Sequence, residues 1–103
     1  MPVASHPFMC RLIRALRLKH GLTQEALAER AGLDYKYYQR LELGQTEAPM
    51  LATLDKLSRV LGTKSWVLLC DEPALIMKKT GLSPAALRAG QTKPGRPKKP
   101  LKR

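Results

Sequence analysis

Acidic residues are scarce in this chain of 103: 8 Asp or Glu stand against 19 Lys or Arg, a formal net charge of +11. Such an excess on so small a body makes polyanions the first partners to consider. Cysteine is almost absent. Cys10 and Cys70 lie far apart, without CxxC spacing or a histidine in ligand register, so no zinc site is expected and both read as reduced thiols. His6 and His20 are isolated, and neither is assigned a ligand or catalytic role. No apolar run approaches the roughly 18 residues of a membrane span. The opening MPVASHPFMC lacks the charged-then-apolar layout of a signal peptide, so a soluble, cytoplasmic protein is expected. Also missing are a phosphate-cradling glycine loop, a metal cluster and a nucleophile beside a base, so neither an enzyme nor a cofactor is expected. The length suits one small domain with a tail.

What is present is uneven charge and helical periodicity. Residues 91–103 hold six basic side chains, three prolines and no acid, a composition that cannot fold alone. The remaining 13 basic and 8 acidic residues leave the body mildly basic as well. From Phe8 to His20, apolar residues Phe8, Leu12, Ile13 and Leu16 recur at helical spacing, and Gly21 ends the run. Thr23 can cap a second helix that carries Glu25 in its first turn, turns Leu27, Ala28 and Ala31 inward and stops at Gly32. Asp34 can cap a third, running through Tyr35 to Leu43 before Gly44. Leu51, Leu54, Leu57, Val60 and Leu61 mark a fourth, closed by Gly62, and a short fifth spans about Thr63 to Cys70.

The expected fold is therefore all-α: a compact five-helix domain over 1–70, followed by a flexible basic tail. Residues 71–90 read as a linker with one short helix started by Ser83 and Pro84, and 91–103 as a disordered basic segment. Met9, Met50 and Met77 read as core filler. Trp66 reads as a core anchor.

Two short helices joined by a tight glycine turn form the layout of a helix-turn-helix, whose second helix enters the major groove of DNA. The stretch from Ile13 to Leu61 resembles the five-helix DNA-binding domain of the phage repressor and Xre-type regulator family. The resemblance rests on Leu16-Arg17, Gly21-Leu22-Thr23-Gln24, Leu27-Ala28, Ala31-Gly32-Leu33, Leu41-Glu42, Gly44, Pro49 and the Leu54/Leu57/Leu61 spacing. It implies a lambda-repressor-like fold and a DNA-binding transcriptional regulator, a repressor acting as a homodimer on double-stranded DNA in a bacterial or phage nucleoid. It also implies that Tyr35, Lys36 and Arg40 touch bases. By the same resemblance Gln24 braces the recognition helix, and Arg17 and Glu42 form a partly buried structural ion pair.

A helical wheel supports the base-reading face independently. With Tyr35 at zero and about 100° per residue, Gln39, Lys36 and Arg40 fall within an arc of about 140°, while Tyr37, Tyr38, Leu41 and Glu42 take the opposite side. Arg40 and Lys36 suit guanine O6 and N7, Gln39 suits adenine, and Tyr35 suits a base edge or a thymine methyl. Tyr38 reads as a packing residue. Tyr37 is divided between packing and a phosphate hydrogen bond. Leu43 falls on the DNA side, where a polar residue is usual. Backbone contacts are expected from Thr23 and Gln24 at the start of the second helix, and from Gln45 and Thr46 after the third. Glu47 there would repel phosphate and weaken that clamp.

Pro94-Gly95-Arg96-Pro97-Lys98-Lys99 resembles the AT-hook, with Gly95, Arg96, Pro97, Lys98 and Lys99 as its minor-groove elements. Pro94 replaces the usual first basic neighbour. Two alternatives stay open: an antitoxin whose residues 71–103 wrap a toxin, which a basic tail disfavours, and an architectural protein coating A·T-rich DNA.

Overall fold

A computed structural model of the chain describes residues 6–89, which build helices joined by short loops. The elements are α1 (His6–Lys19), α2 (Gln24–Ala31), α3 (Tyr35–Glu42), α4 (Leu51–Val60), α5 (Ser65–Leu68), α6 (Pro73–Thr80) and α7 (Pro84–Ala89).

The central member is α1, which packs against α3, α5 and α7. Leu12, Ile13 and Leu16 place three large side chains on one stripe of it, all buried, because residues three and four apart share a helix face. They join Leu27 and Ala28 from α2, Tyr38 and Leu41 from α3, Leu54 and Leu57 from α4, and Leu61, Leu68 and Cys70 in one continuous core. Burying a leucine of this kind stabilises by about 1.5–3 kcal/mol, so the stripe on α1 sets where its neighbours sit.

Local chemistry fixes the α2–turn–α3 unit. Thr23 Oγ1 accepts from the Ala26 N–H at 3.0 Å, and Asp34 Oδ2 accepts from the Tyr37 N–H at 3.0 Å. Each satisfies an amide that the first helical turn leaves without a partner. Between them Gly32 adopts φ +72°, a left-handed geometry costly for residues with a Cβ. That turn lets the Leu33 N–H reach back to the Ala28 carbonyl at 2.8 Å, closing α2 in one residue. Gly44 closes α3 the same way, with φ +74° and the Gln45 N–H bonded to the Arg40 carbonyl at 2.9 Å.

The segment after residue 70 differs from the sequence expectation of a linker with one short helix. Pro73 opens a full helix, α6, whose Ile76 is completely buried. Leu82 is buried as well, Ser83 Oγ accepts from the Ala86 N–H at 3.0 Å, and α7 lies against α1. The signal was weak because α6 has only eight residues and one deeply buried side chain, so no apolar stripe repeats along it.

Three smaller expectations are also corrected. Met50, expected as core filler, is 71% exposed because it occupies the extended N-cap of α4, outside the stripe of Leu54, Leu57 and Leu61. Trp66 is not a core anchor: it is 38% exposed, and Val67 and Leu68 take the inward positions of α5. That helix is shorter than the expected Thr63–Cys70, its last amides bonding three residues back in a tighter turn. Residues 91–103, including Gly95, Arg96, Pro97, Lys98 and Lys99, lie outside the described residues.

Candidate nucleic-acid interface

The outer face of α3 carries the four residues expected to read bases. Lys36 and Arg40 are exposed, Tyr35 is exposed, and Gln39 is half-buried. Gln39 Nε2 donates to Tyr35 Oη at 3.2 Å, one turn back along the same face. This bond pre-arranges two side chains without consuming the Gln39 carbonyl oxygen. The opposite face is closed. Tyr38 and Leu41 are fully buried, Glu42 is buried, and Tyr37 is half-buried. Leu43, the C-cap, is 43% exposed beside the polar face.

Behind α3 lies a buried polar network centred on Glu42. Arg17 Nε donates to Glu42 Oε2 at 2.5 Å and Arg17 Nη2 donates to Oε1 at 3.2 Å, a two-pronged pair across 25 residues of chain. Arg17 Nη1 donates in addition to the Leu22 carbonyl at 2.8 Å. Burial works against the Arg17 charge, yet the hydrogen bond and charge of Glu42 hold its proton more tightly than usual. Gln24 Nε2 donates to Glu42 Oε1 at 2.9 Å, tying the first residue of α2 to the last of α3. Tyr38 Oη donates to Glu42 Oε2. Burial, and then the Glu42 charge, raise the Tyr38 hydroxyl far above its ordinary range, so it acts only as a donor. The hydroxyl role was missed in the sequence, although the four-residue spacing of Tyr38 and Glu42 on one helix face was a signal for it.

The backbone-contact candidates divide. Thr23 is exposed and engaged as a cap acceptor, which leaves its hydroxyl proton free to donate. Gln24 is half-buried with its amide engaged on Glu42. Gln45 is exposed beyond α3. Thr46 Oγ1 is buried without a hydrogen-bond partner, so a contact from it requires the side chain to turn outward.

Among the described residues no group of three or more His, Cys, Asp or Glu could hold a metal ion, and no helix is long and apolar enough to cross a membrane. The Cys10 thiol is buried, and burial raises its pKa from 9.0 to about 11, so it carries no nucleophilic thiolate at neutral pH.

A family model described as helix-turn-helix matches residues 13–68, which takes in α2 to α5 and most of α1. No curated protein and no solved structure matches the chain.

Proposed function

Because the chain belongs to the Xre-type helix-turn-helix family, whose members are DNA-binding transcriptional regulators, we propose that it is a sequence-specific repressor reading the major groove with α3. One observation carries this reading: α3 presents Tyr35, Lys36 and Arg40 to solvent with Gln39 beside them, while the only acid on that helix is sequestered behind it by Arg17, Gln24 and Tyr38. The face toward DNA is thus purely cationic and polar, rich in donors for base edges.

In this reading Arg40 and Lys36 pair with guanine, Gln39 with adenine, and Tyr35 with a base edge or thymine methyl. Phosphates are held by Thr23, by the free amides and positive dipole end at the start of α2 near Gln24, and by Gln45 and Thr46 flanking α3. Tyr37, half-buried beside the polar arc, adds a phosphate hydrogen bond. A single recognition helix reads only a few base pairs, so the protein acts as a homodimer on two half-sites about one helical turn apart. The basic segment, through Gly95, Arg96, Pro97, Lys98 and Lys99, adds minor-groove or phosphate contacts.

Selection of bound duplexes from a random library tests the proposal. A two-fold symmetric winner is the expected result. Recovery of A·T-rich duplexes without a shared motif would overturn it in favour of an architectural role.

A further inference from the structure

The Glu42 carboxylate receives four hydrogen bonds, two at each oxygen: Arg17 Nε and Tyr38 Oη at Oε2, Arg17 Nη2 and Gln24 Nε2 at Oε1. Three helices contribute donors. Only Tyr38 shares a helix with Glu42, one turn away and completely buried. A planar carboxylate with both oxygens doubly engaged has no rotational freedom, so the donor at Oε2 determines where Oε1 points. Oε1 is what Gln24 binds, at the point where α2 presents its first amides.

We propose that Tyr38 is a positioning residue for DNA recognition: its hydroxyl orients the Glu42 carboxylate, which in turn fixes Gln24 and so the placement of the α2 N-terminus relative to the α3 reading face. The inference rests on the DNA-reading role of α3 given above. Mere packing would need only the ring, since an apolar side chain of similar size fills the same core position. The hydroxyl adds directional information that the ring cannot.

Two measurements test it. In the free protein, Tyr38→Phe should shift the Gln24 side-chain amide resonances while leaving the helical signal intact. The same resonances in a chain carrying Tyr38→3-fluorotyrosine, which keeps the ring and strengthens the donor, should also move. This second variant keeps the test valid if Tyr38→Phe does not fold. Unmoved Gln24 resonances in the folded variants would overturn the coupling, whether or not the protein proves to bind DNA.

On DNA, Tyr38→Phe should lower affinity for the selected duplex about tenfold, as expected for losing a buried bond to a charged acceptor. Affinity for random duplex should stay within about twofold, because phosphate attraction does not depend on that alignment. In a Gln24→Ala background the same substitution should have almost no further effect. Losses that simply multiply, or an equal loss on both duplexes, would show Tyr38 to be structural alone and overturn the proposal. Failure of the unsubstituted protein to discriminate any duplex would count instead against the DNA-reading role, with the resonance shift still deciding the coupling.

Discussion

Arg40 is exposed on the open face of α3 and has no acidic partner among the described residues. Its guanidinium is therefore available to a guanine edge without first breaking an ion pair. Arg40→Ala should cost about 1–3 kcal/mol of specific binding and relax preference at one base position, measured by repeating the duplex selection with the variant. A uniformly weaker variant with unchanged preferences would reassign Arg40 to phosphate. Arg17 is the opposite case, a cation committed to Glu42 in the interior. Arg17→Met strands that carboxylate with only Tyr38 and Gln24 and should cost about 3–5 kcal/mol in urea unfolding. The double variant Arg17→Met with Glu42→Leu should recover part of the loss, since the stranded charge is then gone. Cys10 supplies a pH test. Its folded pKa of about 11 exceeds the ordinary 9.0, so the folded state keeps a proton that the unfolded chain releases. The stability linked to it is fully present below pH 9.0 and is lost as pH rises toward 11. Tyr38, raised further by burial and Glu42, adds to the alkaline loss. Cys10→Ala should flatten the fall in melting temperature between those two pH values, and an unchanged profile would contradict the assignment.

At the scale of elements, the sequence was most legible where short-range chemistry dominates. Thr23, Gly32 and Asp34 mark the ends of α2 and the start of α3 because caps and a left-handed glycine act within a few residues. The open and closed arcs of α3 follow from its turn angle alone, which is why Tyr38 and Leu41 were readable as inward residues. Long-range facts were less accessible. That Tyr38 would aim its hydroxyl at the carboxylate held by Arg17 depends on how α1 meets α3, and no local pattern encodes that distance. The docking of α6 and α7 was missed for the same reason: Ile76 and Leu82 gain their burial from the rest of the fold, not from periodicity of their own. If these helices are integral to the core, Ile76→Ala should destabilise the entire domain by about 2–5 kcal/mol and keep one cooperative unfolding transition. A separate early transition for residues beyond 70, followed by hydrogen exchange, would instead mark them as an independently melting appendage.

For the whole molecule, the decisive question is how the +11 charge divides between attraction and discrimination. Base contacts from α3 set which sequence is preferred, whereas lysines and arginines that neutralise phosphates set overall affinity and its dependence on salt. The basic segment beyond residue 90 supplies charge in a stretch rich in proline, with an arginine between Gly95 and Pro97 suited to a narrow groove. If it serves affinity alone, replacing Arg96, Lys98 and Lys99 together by Gln should reduce the slope of log affinity against log salt by about 2 to 3, one increment per phosphate released. The ratio between selected and random duplex should stay unchanged, because the reading face of α3 is untouched. The competing arrangement, in which the segment is the main binding element and the helical domain only carries it, makes the opposite forecast. Binding to every duplex then collapses together and the ratio falls toward unity. Titrations at several salt concentrations with both duplexes separate the two, and retained discrimination with a shallower slope is the outcome the structure of α3 requires.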